Sequence, residues 1–206
     1  MHWIDPNCLP EANGTVERFV LNPHGEVDGF VMTGAMQSPV LVHTPPHMEP
    51  ELTRHVKAGD AVSVRGVRPR KPDLIAAVAV TAANGASIID AGPGHEREHP
   101  KLEKKKMTAE GTVRLSLFGP KGELRGALLT DGTVIRIAPK EAEQLAGLLA
   151  PNAKIAVTGD GLDTKHGRVV HAKQIGTCSR DLRPIKEAKP KPKHETEPKH
   201  DRPAHA

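Results

Sequence analysis

Aromatic side chains are nearly missing from this chain of 206 residues, which has three phenylalanines, one tryptophan and no tyrosine. A protein that holds bases by stacking needs a platform of rings, and Trp3, Phe19, Phe30 and Phe118 offer little of one. Cysteine is equally scarce: Cys8 and Cys178 suggest neither a disulfide framework nor a C-x-x-C zinc site. No apolar run approaches the roughly 20 residues of a membrane-spanning helix. The first residues, MHWIDPNCLPEANG, lack the basic and apolar regions of a secretory signal. We therefore expect a soluble protein of a reducing compartment, cytoplasmic and without a membrane partner. Neither a nucleophile elbow, a P-loop, an HExxH nor a GxGxxG before a helix can be found, so no enzyme and no cofactor are expected.

What the chain does have is a repeat. The stretch GTVERFVLNPHGEVDGFVM, from Gly14 to Met32, returns from Gly111 to Leu129 as GTVRLSLFGPKGELRGALL. Seven of nineteen positions are identical, and most others exchange one apolar residue for another, which marks an internal duplication. Each copy has about 70 residues from which to build a core, feasible but marginal. Extensive packing of one copy on the other would not be surprising.

Taken in order, the first strand falls over Thr15 to Leu21. In the second copy Val113, Leu115 and Leu117 alternate with Arg114 and Ser116, the period of a strand with one buried face. Asn22-Pro23-His24-Gly25 and Gly119-Pro120-Lys121-Gly122 read as hairpin turns of type I plus bulge, proline presetting the first central φ and glycine accepting a positive one. Gly29 and Gly126 stand inside the second strand, where glycine marks a sharp bend or a close backbone approach. After a four-residue insertion in the first copy come third strands, Val40 to His43 and Val134 to Ile137. Prolines then lead into helices over Glu49 to Lys57 and Lys140 to Leu149. Fourth strands follow at Ala61 to Gly66 and Ile155 to Gly159, fifth strands at Leu74 to Thr81 and Val169 to Ile175. Ile88 and Ile89 add a short extra one.

That order of three strands, a helix and two strands resembles the OB-fold, a small five-stranded Greek-key barrel. The residues that carry the likeness are GTV, the Pro-x-Gly-Glu turn, the in-strand glycine, the proline before the helix, and Val62-x-Val64-x-Gly66 with its counterpart Ile155-x-Val157-x-Gly159. The resemblance implies a mainly β protein of two tandem five-stranded OB-fold-like barrels, each with one helix between strands 3 and 4. The expected layout is a lead-in at 1–13, with Trp3 against a barrel end, and domains at 14–92 and 111–185. A charged linker at 93–110 joins them, and a disordered Lys/Pro/His-rich tail follows at 186–206.

Charge is unevenly spread. Residues 1–92 carry seven basic side chains against ten acidic ones, and residues 111–185 carry eleven against seven. Attraction to a polyanion therefore belongs to the second half. Candidate phosphate contacts are Arg65, Arg68, Arg70 and Lys71 around the loop after the fourth strand, one of the loops by which OB-folds grip ligands, and Lys121, Arg125, Arg136 and Lys140 in the second copy. His24, His43 and His47 would suggest a metal site, but they align with Lys121, Arg136 and Lys140, and a metal site is not copied into cations. Glu26 and Glu123 repeat just after the hairpin turn, as turn partners rather than bases. Two main readings follow. One is a non-enzymatic module that binds single-stranded nucleic acid through phosphates with little sequence preference. The other is a protein-interaction or structural adaptor, which the scarce aromatics and the acidic first half favour. Binding of a small anionic ligand or a metal is a third.

Overall fold

The computed structural model describes residues 5–34, 37–69, 73–92 and 102–185. Trp3, Arg70, Lys71, residues 93–101 of the expected linker and the whole expected tail, 186–206, lie outside the described residues. The first half contains β1 (Glu11–Leu21), β2 (Val27–Gly34), β3 (Pro39–His43), α1 (Glu49–His55), β4 (Ala61–Val67), β5 (Leu74–Ala82) and β6 (Ser87–Ile89). The second contains β7 (Lys105–Phe118), β8 (Leu124–Leu129), β9 (Val134–Arg136), α2 (Pro139–Gln144), β10 (Lys154–Thr164), β11 (Gly167–Gly176) and β12 (Arg183–Pro184).

Both halves are closed five-stranded barrels of the same topology. In the first the order β3-β2-β1-β4-β5 closes because β3 and β5 pair in parallel, Leu41 opposite Leu74. In the second β9 and β11 do the same, Val134 opposite Val169. A helix lies between the third and fourth strands of each, which is the OB-fold arrangement. In the first copy Met48, Leu52 and Val56 plug the barrel with at most 3% exposure.

The duplicated glycines are where the strands crowd one another. A Cβ on Gly29 would run into the Val42 carbonyl oxygen, and one on Gly126 into the equivalent oxygen of Ile135. Gly66 and Gly159 stand in the same relation to the carbonyl oxygens of Ala76 and His171. No side chain fits at these crossings, which is why both copies keep glycine there. The hairpin turns also match: Gly25 and Gly122 have φ of 83° and 82°, and the Asn22 and Gly119 amides each donate to the glutamate carbonyl four residues on, at 2.8 Å.

Several elements depart from expectation: β1 begins four residues early, at Glu11, and β10 runs on to Thr164, and three further differences have a local cause. β7 begins at Lys105, inside the stretch read as linker, because Met107 and Ala109 pack against the second core while Lys106, Thr108 and Glu110 stay exposed. α2 ends at Gln144 rather than Leu149; with Gly147 and Pro151 ahead, the chain continues in tight turns, and Leu149 still reaches the core. Finally, the alternation of Val113, Leu115 and Leu117 is broken. Val113 pairs with Leu129 and Leu115 with Leu128, so Arg114 is an extra, bulged residue. β1 carries the same bulge at Glu17. The bulge changes the phase of the strand: Val113 enters the second barrel's own core, whereas Leu115 and Leu117 pack into the cluster of the first.

Candidate functional site

An OB-fold usually takes its ligand on the outer face of strands 2 and 3 and the loops beside it. Here that face of each barrel is covered by the other. Leu117, Leu128, Val134, Leu162 and Val169 belong to the apolar cluster that contains the first barrel's core. The second barrel's interior is a separate cluster that includes Val113, Ala127, Leu129, Ile135 and Leu149. Consecutive residues of β8 therefore point opposite ways, Ala127 and Leu129 inward and Leu128 into the neighbouring barrel. The positions of the first copy aligned with this outer set, Val20, Val31, Leu41 and Leu74, are at most 3% exposed. Each such side chain stabilises the pairing by at most about 1.5–3 kcal/mol.

Charge reinforces the apolar contact. Glu17 and Arg114 are aligned in the repeats, and their side chains form an ion pair with each other. A contact between equivalent positions places an internal pseudo-twofold axis between them, where two like charges would repel. Asp28, aligned with Arg125, accepts a hydrogen bond from Arg136 Nη2 at 2.6 Å, and Arg136 Nε donates to the Leu21 carbonyl at 2.7 Å. Burial pushes the Asp28 carboxyl above its usual range, with Arg136 pulling the other way. Burial also pushes the Arg136 guanidinium down, with Asp28 opposing. Removing either partner would leave the other as an uncompensated buried charge.

This arrangement sorts the eight candidate phosphate contacts. Arg136, with 6% of its side chain exposed, is held inside the interface by Asp28. Arg65 is tied to the N-terminal segment: it pairs with Glu11 and donates to the Asn7 and Leu9 carbonyls, each at 3.4 Å. Arg68 is half-exposed with a loose partner, Asp73, at 3.6 Å. Arg70 and Lys71 lie outside the described residues. Arg125 is bound to Glu123 at 2.6 Å but is 46% exposed. Lys121 and Lys140 are exposed, and neither ammonium is paired among the described residues.

The last three gather at one end of the second barrel, beside a cleft of about 490 Å³ between the barrels. Pro23, His24, Asp28 and His43 line it from the first barrel, and Pro120, Arg125, Arg136, Pro139 and His171 from the second. Lys121 and Lys140 follow directly on its two second-barrel prolines. Burial lowers the pKa of His43, against the pull of Asp28, and burial followed by Lys104 lowers that of His171. Both rings are thus held toward the neutral form. Among the described residues no group of three or more His, Cys, Asp or Glu is placed to hold a metal. His47 is bonded to Asp90 at 2.8 Å, and Glu26 accepts from Asn22 Nδ2 at 2.9 Å as a turn partner.

Sequence reasoning passed over a second, smaller cleft, lined in part by Arg18, Gly132 and His166. Its signal was present: Arg18 aligns with Leu115, so a cation stands where the other copy has an apolar contact.

No family model matches the chain, and no curated protein matches it. Among solved structures, it is similar to a deletion mutant of the single-stranded DNA binding protein from Thermus aquaticus. The identity is 13% over 88% of this chain and 96% of that one, with a TM-score of 0.25. The barrel assignment rests on strand order and register, to which a likeness of that level adds nothing.

Proposed function

We propose that the chain is a non-enzymatic binding module for a polyanion, of which single-stranded nucleic acid held through its phosphates is the class that fits. The observation that carries this is the gathering of Lys121, Arg125 and Lys140 at one end of the more basic barrel, around a cleft into which Arg125 faces. With Arg65 and Arg136 committed to internal partners and aromatics scarce, such binding is weak, electrostatic and tolerant of sequence. Three phosphate contacts on a single strand correspond to a slope of log K against log salt of about −2, a loss of roughly an order of magnitude between about 50 and 200 mM salt. Fluorescence anisotropy of a labelled single strand tests it. Binding at micromolar protein and about 50 mM salt, lost with that slope and weakened in Lys121→Gln/Lys140→Gln, is expected; no binding at low salt would overturn it.

A second reading, a protein-interaction or structural adaptor, is favoured by one observation: the faces that OB-folds offer to strands are buried between the barrels. A partner retained in pull-down after nuclease treatment, by a protein that binds no labelled strand, would decide for it.

A further inference from the structure

Among the described residues, arginines at the junction of the barrels have partners, with one exception. Arg114 is held by Glu17 and Arg136 by Asp28. Arg18, half-buried on β1, makes no hydrogen bond or ion pair among the described residues, and its Nε is shielded from solvent without a partner. Its guanidinium lies over Gly132, in the β8–β9 turn of the other barrel, where a Cβ would collide with the Arg18 Nη1 atom. The glycine, at φ of 94°, leaves the room that the guanidinium fills.

His166, in the β10–β11 turn, repeats the anomaly. Its Nε2 is buried and unpartnered. The ring is fixed edge-on to Phe19, with centroids 5.3 Å apart and planes at 81°. Unsatisfied buried polar atoms are costly, and here two of them, a guanidinium N–H and an imidazole nitrogen from different barrels, line one cleft of about 250 Å³ together with Arg168. Arg168 is loosely held, its carboxylate partner Asp163 being 3.8 Å away. Asp131 also lines the cleft, but both of its oxygens are occupied by Thr133, through the amide at 2.8 Å and Oγ1 at 2.9 Å. Asp131 and Asp163 balance the two guanidinium groups in charge, and burial followed by Lys165 holds the His166 ring toward the neutral form; what the cleft has in excess is buried polar atoms of Arg18 and His166 without a partner.

We infer that this cleft is a binding site for a single phosphate-class oxyanion. The volume is below the roughly 300–1,000 Å³ of pockets that enclose a drug-sized ligand, and guanidinium groups on two different strands can each bind separate oxygens of one tetrahedral anion. Divergence of the repeats marks it as built on one side only: Arg18 and Phe19 align with Leu115 and Ser116, and the Ser116 hydroxyl is spent on the Leu149 carbonyl at 2.8 Å. The site stands independently of strand binding at Lys121 and Lys140. The phosphate belongs either to a small molecule or to a nucleic-acid strand.

The test is an NMR titration of the full chain at constant ionic strength with inorganic phosphate, with chloride as control, reading the Arg18 Nε–H and the Gly132 amide. Saturable shifts with a Kd of about 1 mM or tighter are expected. Arg18→Leu, which installs the residue of the other copy, should weaken binding by about tenfold or more, and Arg168→Gln by less. Shifts that do not saturate, that chloride reproduces, or that persist in Arg18→Leu would overturn the site. Should Arg18→Leu fail to fold, His166→Ala and Arg168→Gln on the outer hairpin carry the same reading. If Arg18→Leu abolishes the phosphate shifts and also weakens anisotropy with a labelled strand, the phosphate is that of a strand; if strand binding is unchanged or absent, it is that of a small molecule. A strand that fails to bind while the shifts remain refutes only the polyanion reading.

Discussion

The two barrels share a backbone plan and differ in what they place on it. Where both must bend, both have glycine: Gly29 and Gly126, Gly66 and Gly159. Where they touch, they differ in sign. Glu17 faces Arg114, its own counterpart, and Asp28 holds Arg136, whose counterpart is His43. Two identical copies could not make the Glu17–Arg114 pair, because a contact across a twofold axis between equivalent residues joins like to like; Asp28–Arg136 joins non-equivalent positions and occurs on one side only, since the aligned residues are Arg125 and His43. The divergence thus fits the outer faces of the two barrels to each other as an internal joint. The cations that the joint does not use are those proposed above to meet phosphates.

Substitutions at the joint should break this comparison most severely. Asp28→Ala leaves Arg136 buried without a counter-charge and should cost about 3–5 kcal/mol in urea unfolding; Asp28→Ala combined with Arg136→Met should recover much of that loss. Leu128→Ala removes a side chain that belongs to the second barrel by sequence and to the first by packing. A loss of about 2–5 kcal/mol is expected, whereas a reporter in the first barrel that did not move with it would show the barrels to be independent. Glu17→Gln should cost much less, about 0.5–1 kcal/mol, because the pair with Arg114 is partly solvated.

The smallest expected effect is on pH dependence. Burial holds the folded-state pKa of His43 below its ordinary 6.5, so the neutral ring contributes stability above about pH 6.5 that is lost as pH falls toward the folded value. The groups acting on it are Asp28, Arg136, Arg125 and Glu123; the raised pKa of Asp28 acts in the opposite sense. His43→Gln should therefore show a shallower fall in Tm than the parent between about pH 7 and 5.

Most of the barrel plan was legible in the sequence, because it depends on local chemistry: proline and glycine in the turns, glycine at the strand crossings, alternation in the strands. The start of β7 was hidden by KKKMTAE, whose lysines read as linker although Met107 and Ala109 carry the strand period. The joint was hidden for a different reason. Leu128 beside Leu129 looks like one apolar run, and only the bulge at Arg114 and the neighbouring barrel decide which of the two is core. The carboxylate partners of Arg65 and Arg136 were hidden as well, because sequence shows a cation but not what holds it. The opposite signs at aligned positions, Glu17 with Arg114 and Asp28 with Arg125, were the clue to a joint between the copies.

Differential scanning calorimetry of the full chain tests that joint most directly. If each barrel completes the other, heat should unfold both in one transition, with the calorimetric enthalpy equal to the van't Hoff enthalpy. Two separate transitions, or a calorimetric enthalpy about twice the van't Hoff value, would mean that the barrels stand alone and that their outer faces are free for a ligand.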